Sequence, residues 1–349
     1  MYWLNTALVK KNYTTSVLST YFGLKCSDYL KRQPFFENGH EVMFLDSKVN
    51  FLIEGKKILK DSNIIQFSSI FFPPTLPLLV MALSSNKKVI ISPRGELYPA
   101  ALSIKPFQKK IWLRIIKFFQ HKIFFHATNE YEKKIISKQF PNAGGLKVIP
   151  NYMELPQRLN GEVNNKQLLF IGRINPIKNI DILINSIASL KKRNLNIELL
   201  IAGEPSLDYE NDYFMQLKEL IKKLGLQANI TFIGHIDKED KQKYIASSFA
   251  LILPSKSENF GNVVIEALAQ GTPVIASRNT PWEILENTES GYWVEAEAEN
   301  IATAVLRMHS LTTNDYALMR ERAYNLCLKK FDISTNLHHW ESFYKKIIN

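Results

Sequence analysis

Short apolar runs rich in β-branched residues alternate along this chain with longer segments whose apolar positions recur every three to four residues. Runs at 63–69 (NIIQFSS), 88–93 (KVIISP), 122–128 (KIFFHAT), 146–151 (LKVIPN), 167–173 (QLLFIGR), 197–203 (IELLIAG), 229–234 (NITFIG), 250–255 (ALILPS) and 273–277 (PVIAS) read as strands. Most are continuously apolar, the pattern of strands covered on both faces. The periodic stretches between them, such as 180–194 and 213–225, read as helices. Repeated strand–helix–strand succession predicts an α/β fold with parallel sheets.

The pattern breaks near residue 150, where Pro150, Pro156, Gly161 and several asparagines give a linker composition, and a fresh strand follows. Two Rossmann-like domains are therefore expected, 1–152 and 164–325, with parallel sheets facing a central cleft. The aromatic-rich end, 332–349, carrying Trp340, Phe343 and Tyr344, reads as a helix that packs back toward the first domain. The start is unusual. Residues 7–20 read as the end of a helix, a tight turn at Asn12 and a strand, without the strand and glycine turn that open a Rossmann domain. The first domain is accordingly expected to lack its first strand.

Composition narrows the partners. The 349 residues carry a formal charge of +11, which implies an anionic partner: nucleic acid, an acidic membrane surface or a phosphorylated ligand. No nucleic-acid module is recognisable, and the aromatic residues lie mostly in core-like runs. The two cysteines, Cys26 and Cys327, offer neither a disulfide framework nor metal-ligand spacing, which fits a reducing cytoplasm. No run has the length of a transmembrane helix, and the N-terminus lacks the layout of a signal peptide.

Ligands of open α/β sheets sit beyond the carboxyl ends of the strands, which points to 172–178, 203–206, 234–236 and 254–262. Gly172 allows close backbone approach, while Arg173 and Lys178 supply a fork and a point charge for one anion. Gly203 and His235 end or follow the next two strands. The strand ending at Pro254 leads into SKSENFGN and then a helix over 263–270 capped by Gly271. The amides of Phe260, Gly261 and Asn262 at that helix start suit a phosphate. Glu258 before the helix can reach a ligand hydroxyl, and Glu266 one turn inside faces the same side. Carboxylates beside a phosphate cradle imply hydroxyl partners, so a nucleotide-sugar site is favoured.

The spacing Glu258–Glu266 resembles the E-x7-E signature of the family 4 retaining glycosyltransferases, enzymes of the GT-B fold. FIGRINPIKNIDILINSIASL is similar to that family's donor-diphosphate segment, and IISPRGELYPAAL, FHATNEYEKKII and VIPN resemble its first domain more loosely. The resemblance implies a hexosyltransferase that takes a sugar from UDP or GDP to a saccharide or lipid-linked glycan with retention, as in surface polysaccharide or lipopolysaccharide biosynthesis. It implies that Arg173 and Lys178 hold the diphosphate, that Glu258, with Asn259 to Asn262 beside it, binds the donor sugar, and that Glu266 holds the ribose. No metal is implied, and no Asp-x-Asp site occurs. Where many relatives carry a histidine in the first domain, this chain has Arg94, which stays protonated and is placed on the acceptor side.

Residues 103–122 interleave Lys105, Lys109, Lys110, Arg114 and Lys117 with Phe107, Ile111, Trp112, Ile115 and Phe118, the pattern either of a membrane-surface helix or of an ordinary domain helix with solvated lysines. A cytoplasmic location is expected, any membrane contact being peripheral at the inner membrane face. Two further readings remain open here: a GT-B nucleotide-sugar epimerase, and a truncated, non-catalytic nucleotide-sugar-binding protein.

Overall fold

The computed structural model describes residues 2–20, 35–37 and 40–349. The chain divides into two compact units, Met1–Glu154 with Ile333–Asn349, and Leu155–Asp332.

In the first unit, strands β1 (Ser16–Thr20), β2 (Phe35–Glu37) and β3 (His40–Leu45) form one small sheet in the order β1-β3-β2, with β1 parallel to β3. Strands β4 (Ile64–Phe67), β5 (Lys88–Ile91), β6 (Ile123–Ala127) and β7 (Gly145–Val148) form a parallel sheet in sequence order. The pleat sends alternate side chains to opposite faces, and β5 shows the consequence. Val89 and Ile91 join Leu79, Ile116, Phe125 and Ile136 in one fully buried cluster, whereas Ile90 joins Leu8, Ile149, Trp340 and Phe343 in another. The second cluster is roofed by the helices Tyr2–Val9 and His338–Ile348, so the two ends of the chain cover one face of the same sheet.

The helix, the turn at Asn12 and the strand expected at the start are all present, the strand in the small sheet and not in the β4–β7 sheet. A helix comes first, Asn12 turns in the left-handed region at φ 64°, and β1 then pairs in parallel with β3 from Ser16–Glu41 to Thr20–Leu45. Residues 21–34, where a glycine turn would fall, and Cys26 lie outside the described residues.

The second unit has six parallel strands: β8 (Asn164–Ile171), β9 (Glu198–Ala202), β10 (Ile230–Gly234), β11 (Ser248–Leu253), β12 (Val274–Ser277) and β13 (Gly291–Val294). Their order is β10-β9-β8-β11-β12-β13. Counted from the unit's own first strand this is third, second, first, fourth, fifth, sixth, the doubly wound Rossmann order, and it reverses between β8 and β11. Every residue of β11 is buried, as a strand in the middle of such a sheet requires.

The boundary falls at 154/155, not across 152–164. The linker-like stretch belongs to the second unit because buried Gln270 holds it: the amide of Leu159 donates to Gln270 Oε1 at 2.8 Å, and Gln270 Nε2 donates to the Gln157 carbonyl at 3.0 Å. The unit also runs on to Asp332, beyond the expected 325, through the helix Thr313–Phe331. Buried Cys327 packs in that helix, and burial pushes its thiol up to about 12.

Candidate functional site

The switch point lies between the carboxyl ends of β8 and β11, and most of the sequence-derived candidates fall there. Three strand ends are stitched side by side. The amide of Gly172 donates to the Ala202 carbonyl at 3.0 Å, that of Gly203 to the Gly234 carbonyl at 2.7 Å, and that of Ile174 to the Glu204 carbonyl at 3.2 Å. The seam needs glycine at Gly203, whose φ is +135° and whose added Cβ would lie 2.0 Å from the Gly172 carbonyl oxygen. His235 joins through its backbone, donating to Glu204 Oε1 at 3.3 Å, and its imidazole stands exposed.

After Gly172-Arg173 the chain makes a single 3-10 turn, Pro176–Lys178. Asn175 caps that turn by accepting from the Ile177 amide at 2.9 Å, and Pro176 opens it with a preset φ. Asn179 then turns left-handed at φ 60° and donates from Nδ2 to the Pro254 carbonyl at 3.1 Å, while the Lys256 amide donates to the Ile177 carbonyl at 2.8 Å. These two bonds lock the loop after β8 to the loop after β11. Their result is direct contact between Lys178 and Glu258, an ion pair whose side chains are 22% and 16% exposed.

Arg173 is held from behind. Its Nε lies 3.2 Å from Oε1 of Glu210, a fully buried carboxylate in the first turn of the helix Asp208–Lys223. Burial by itself pushes the Glu210 carboxyl up. The Ser206 amide at 2.7 Å, the Asn175 side chain and the Arg173 charge outweigh that and keep it below the usual carboxylate range. Sequence reading passes over Glu210, which sits 37 positions from Arg173 with no local motif to mark it. The Asn175-Pro176 pair, by contrast, is a legible cap signal.

Gly261 is the N-cap of the helix Asn262–Ala269, in the left-handed region at φ 81°. Asn259 and Asn262 flank it, Asn262 as the first helical residue. Phe260 contributes no side chain to a ligand. Its ring is buried against Trp282 and Phe331, and its carbonyl accepts from Trp282 Nε1, so it anchors the loop and leaves only its amide for the helix start. Glu266, one turn on, pairs at 2.7 Å with Lys241 of the helix Lys238–Ser247, another residue the sequence reading misses.

In the first unit, Arg94 follows β5 with φ 51°, and Gly95 continues left-handed at φ 81°. Buried Glu132 fixes this turn by accepting from the Gly95 amide at 2.7 Å and the Thr128 amide at 2.8 Å. Glu96 ties it to the loop after β4 by accepting from Ser69 Oγ at 2.6 Å. Arg94 donates from Nη1 to Asn151 Oδ1 at 3.2 Å; burial lowers its pKa, and the charge of Glu132 works against that.

His126, at the end of β6, is structural. It is 1% exposed, donates from Nε2 to the Ile149 carbonyl at 2.8 Å and accepts from Ser92 Oγ at Nδ1 at 2.9 Å. Burial first, then the Arg94 charge, lower its pKa from 6.5 to about 3. Between those two values the unfolded chain binds a proton that the folded chain refuses, so stability rises with pH across the window. The contribution is complete above 6.5 and lost as pH falls toward 3, amounting to roughly 5 kcal/mol. Denaturant unfolding of the first unit, followed at a series of pH values, is expected to show this acid-side slope. His126→Gln, which can keep both hydrogen bonds, is expected to flatten it.

Cations and a carboxylate in contact at the switch point of a doubly wound sheet define the ligand-binding end of an α/β domain. Residues 153–326 match the model of the family Glycosyl transferases group 1, and the chain belongs to that family through this segment. The membership expected from Gly172, Arg173, Lys178 and the Glu258/Glu266 spacing thus holds at the level of that family. An uncharacterised glycosyltransferase of Methanocaldococcus jannaschii is 30% identical over 188 residues, 53% of this chain and 44% of that protein. Across the first four curated relatives, the matched stretches span 25–59% of the relatives' own length.

Among solved structures, sucrose-phosphate synthase of Thermosynechococcus elongatus superimposes with a TM-score of 0.80 at 17% identity, covering 99% of this chain and 91% of that one. HepE of Anabaena, in complex with UDP and glucose, does so with a TM-score of 0.73 at 18% identity, covering 88% and 87%. The fold is α/β of the GT-B class.

Proposed function

We propose that this chain is a retaining hexosyltransferase that moves a sugar from a nucleotide diphosphate, UDP- or GDP-linked, to a saccharide or lipid-linked glycan. Surface polysaccharide or lipopolysaccharide biosynthesis is the setting such an activity serves. The observation that carries the reading is the Lys178–Glu258 contact at the switch point, with Arg173 beside Gly172 and oriented by Glu210. In this reading the acceptor oxygen bonds to the anomeric carbon as the carbon–phosphate oxygen bond breaks on the same face. The electron pair leaves with the diphosphate, and the acceptor's proton passes to that departing oxygen.

Each side chain then has a task. Arg173 and Lys178 meet the charge that develops on the leaving diphosphate, in the place a divalent cation would otherwise take, so no metal is required. Glu258 accepts hydrogen bonds from hydroxyls of the transferred sugar and, through its ion pair, fixes the Lys178 ammonium. The amides from Asn259 to Asn262 lie at the helix start, where backbone donors suit phosphate. Glu266, oriented by Lys241, accepts the ribose hydroxyls. Arg94 serves the acceptor side as a fixed positive charge and not as a base.

The test is release of nucleotide diphosphate from UDP- and GDP-sugars with and without acceptor, in the presence and absence of a chelator. Acceptor-dependent, chelator-insensitive release is expected, and binding of donor with no release would instead support a non-catalytic binding protein. Lys178→Ala is expected to raise the donor KM and lower kcat together, by about 10²-fold in kcat/KM, because an ammonium on the diphosphate acts in both the ground and transition states. Unchanged kinetics in that variant would remove Lys178 from the site.

A further inference from the structure

The helix Pro106–Phe119 turns two apolar faces in different directions. One is ordinary core: Leu113 and Ile116 are buried against the β4–β7 sheet. The other points to solvent. Phe107 and Phe118 are each 75% exposed and Ile111 is 43% exposed, with Ile104, just before the helix, at 63%. Positions 107, 111, 114 and 118 follow the i, i+4, i+7, i+11 spacing of a single helix face. Phe107, Ile111, Arg114 and Phe118 therefore form one continuous outward stripe that the sheet does not require.

Charge accompanies the stripe. Between Glu96 and Glu130 the chain has six cations (Lys105, Lys109, Lys110, Arg114, Lys117 and Lys122) and no acidic residue. Lys110, Arg114 and Lys117 are exposed, and with Lys109 they line a groove of about 400 Å³ beside the helix. Lys109 is committed inward, donating to the Ala101 carbonyl and lying 5.0 Å from the centre of the Phe71 ring. The other three are placed for an external anion. Large apolar side chains at the crest of a helix, flanked by cations and a basic groove, match the boundary between headgroups and acyl chains.

We propose that this face docks the protein on an anionic bilayer. Phe107, Ile111 and Phe118 enter the headgroup–acyl boundary, while Lys110, Arg114 and Lys117 engage lipid phosphates. The inference rests on the first unit alone and is independent of the donor-site reading, because vesicle binding needs neither donor nor acceptor. Co-sedimentation of the full chain with vesicles of phosphatidylcholine, and of phosphatidylcholine mixed with phosphatidylglycerol, tests it. Binding is expected only to the mixed vesicles and is expected to weaken as salt rises. Lys110→Glu with Arg114→Glu and Lys117→Glu is expected to reduce partitioning by at least about 100-fold, at about 5-fold per cation removed. Phe107→Ser with Phe118→Ser is expected to reduce it while leaving the thermal midpoint unchanged, since neither ring is in the core. Equal binding to both vesicle types, binding retained by the charge-reversal variant, or a dimer in solution that the Phe107→Ser/Phe118→Ser variant dissolves would each overturn the proposal.

Discussion

Glu258→Gln is expected to abolish most sugar transfer, lowering acceptor-dependent release of nucleotide diphosphate by about 10²- to 10³-fold, while the protein remains folded. The amide keeps the shape of the side chain and removes its charge. Two functions fail together: the strong acceptor for donor hydroxyls, and the partner that holds Lys178 at the seam between the β8 and β11 loops. The fold is expected to tolerate the change because the loops are locked by other bonds, Asn179 to the Pro254 carbonyl and Lys256 to the Ile177 carbonyl. Both members of the pair also keep some contact with water. The loss should fall on kcat more than on the donor KM, which separates this variant from Lys178→Ala, where both change. Steady-state kinetics together with a thermal melt decide it. Activity within a few-fold of the parent would show that Glu258 does not touch the transferred sugar.

Much of the fold is legible in the sequence because strands such as β6, β11 and β12 are buried on both faces and so appear as apolar runs. All nine of those runs are strands, from β4 to β12. β1 is read from the turn at Asn12, and the other strands without such a run, β2, β3 and β13, are the ones the pattern passes over. β13 is four residues beginning with a glycine, whose added Cβ would lie 2.0 Å from the Val274 carbonyl oxygen; it is defined by close approach to β12 and not by its own hydrophobicity. β3 mixes His40 and Glu41 with Val42 and Met43 and takes its identity from pairing with β1, 25 residues earlier. The domain boundary moved for a similar reason. A linker composition cannot announce that Gln270, more than a hundred residues away, will hold the backbone at Gln157 and Leu159.

The candidate site divides along the same line. Glycines and charges at strand ends are local signals, and Gly172, Arg173, Lys178, Gly203, Pro254 and Glu258 all lie on the stitched carboxyl edge. What stays hidden is the support behind them. Glu210 orients Arg173, Lys241 holds Glu266, and Glu132 pins the turn at Arg94, each from a helix whose charged residues look like an ordinary solvated face. Phe260 shows the converse, a residue inside the motif whose ring belongs to the core. Motif spacing locates the backbone of a site, whereas the partners that fix its side chains follow from tertiary packing.

Gly203→Ala is expected to be among the most damaging single-methyl changes in the second unit. Two penalties coincide. A φ of +135° is a conformation that residues with a Cβ rarely adopt, and the added methyl would sit 2.0 Å from the Gly172 carbonyl oxygen, well inside contact distance. The backbone has little freedom to move away, because the Gly203 amide donates to the Gly234 carbonyl at 2.7 Å and the Gly172 amide donates to Ala202 at 3.0 Å. Relief on one side therefore costs a hydrogen bond on the other. A loss of roughly 3–5 kcal/mol follows, and for a unit of this size a fall of about 10 °C or more in the unfolding midpoint. Gly161→Ala is the matched control, since nothing lies within 4 Å of a Cβ at that position and its φ is not positive; it is expected to melt with the parent. The fraction of Gly203→Ala that stays folded is expected to bind donor poorly, because shifting Gly172 moves Arg173 off Glu210 and disturbs the turn that presents Lys178. Differential scanning calorimetry of the parent and both variants decides the first point. If Gly203→Ala melts within a degree of the parent, the β8 and β9 loops do not approach as closely as described, and the seam ceases to explain how the site is held.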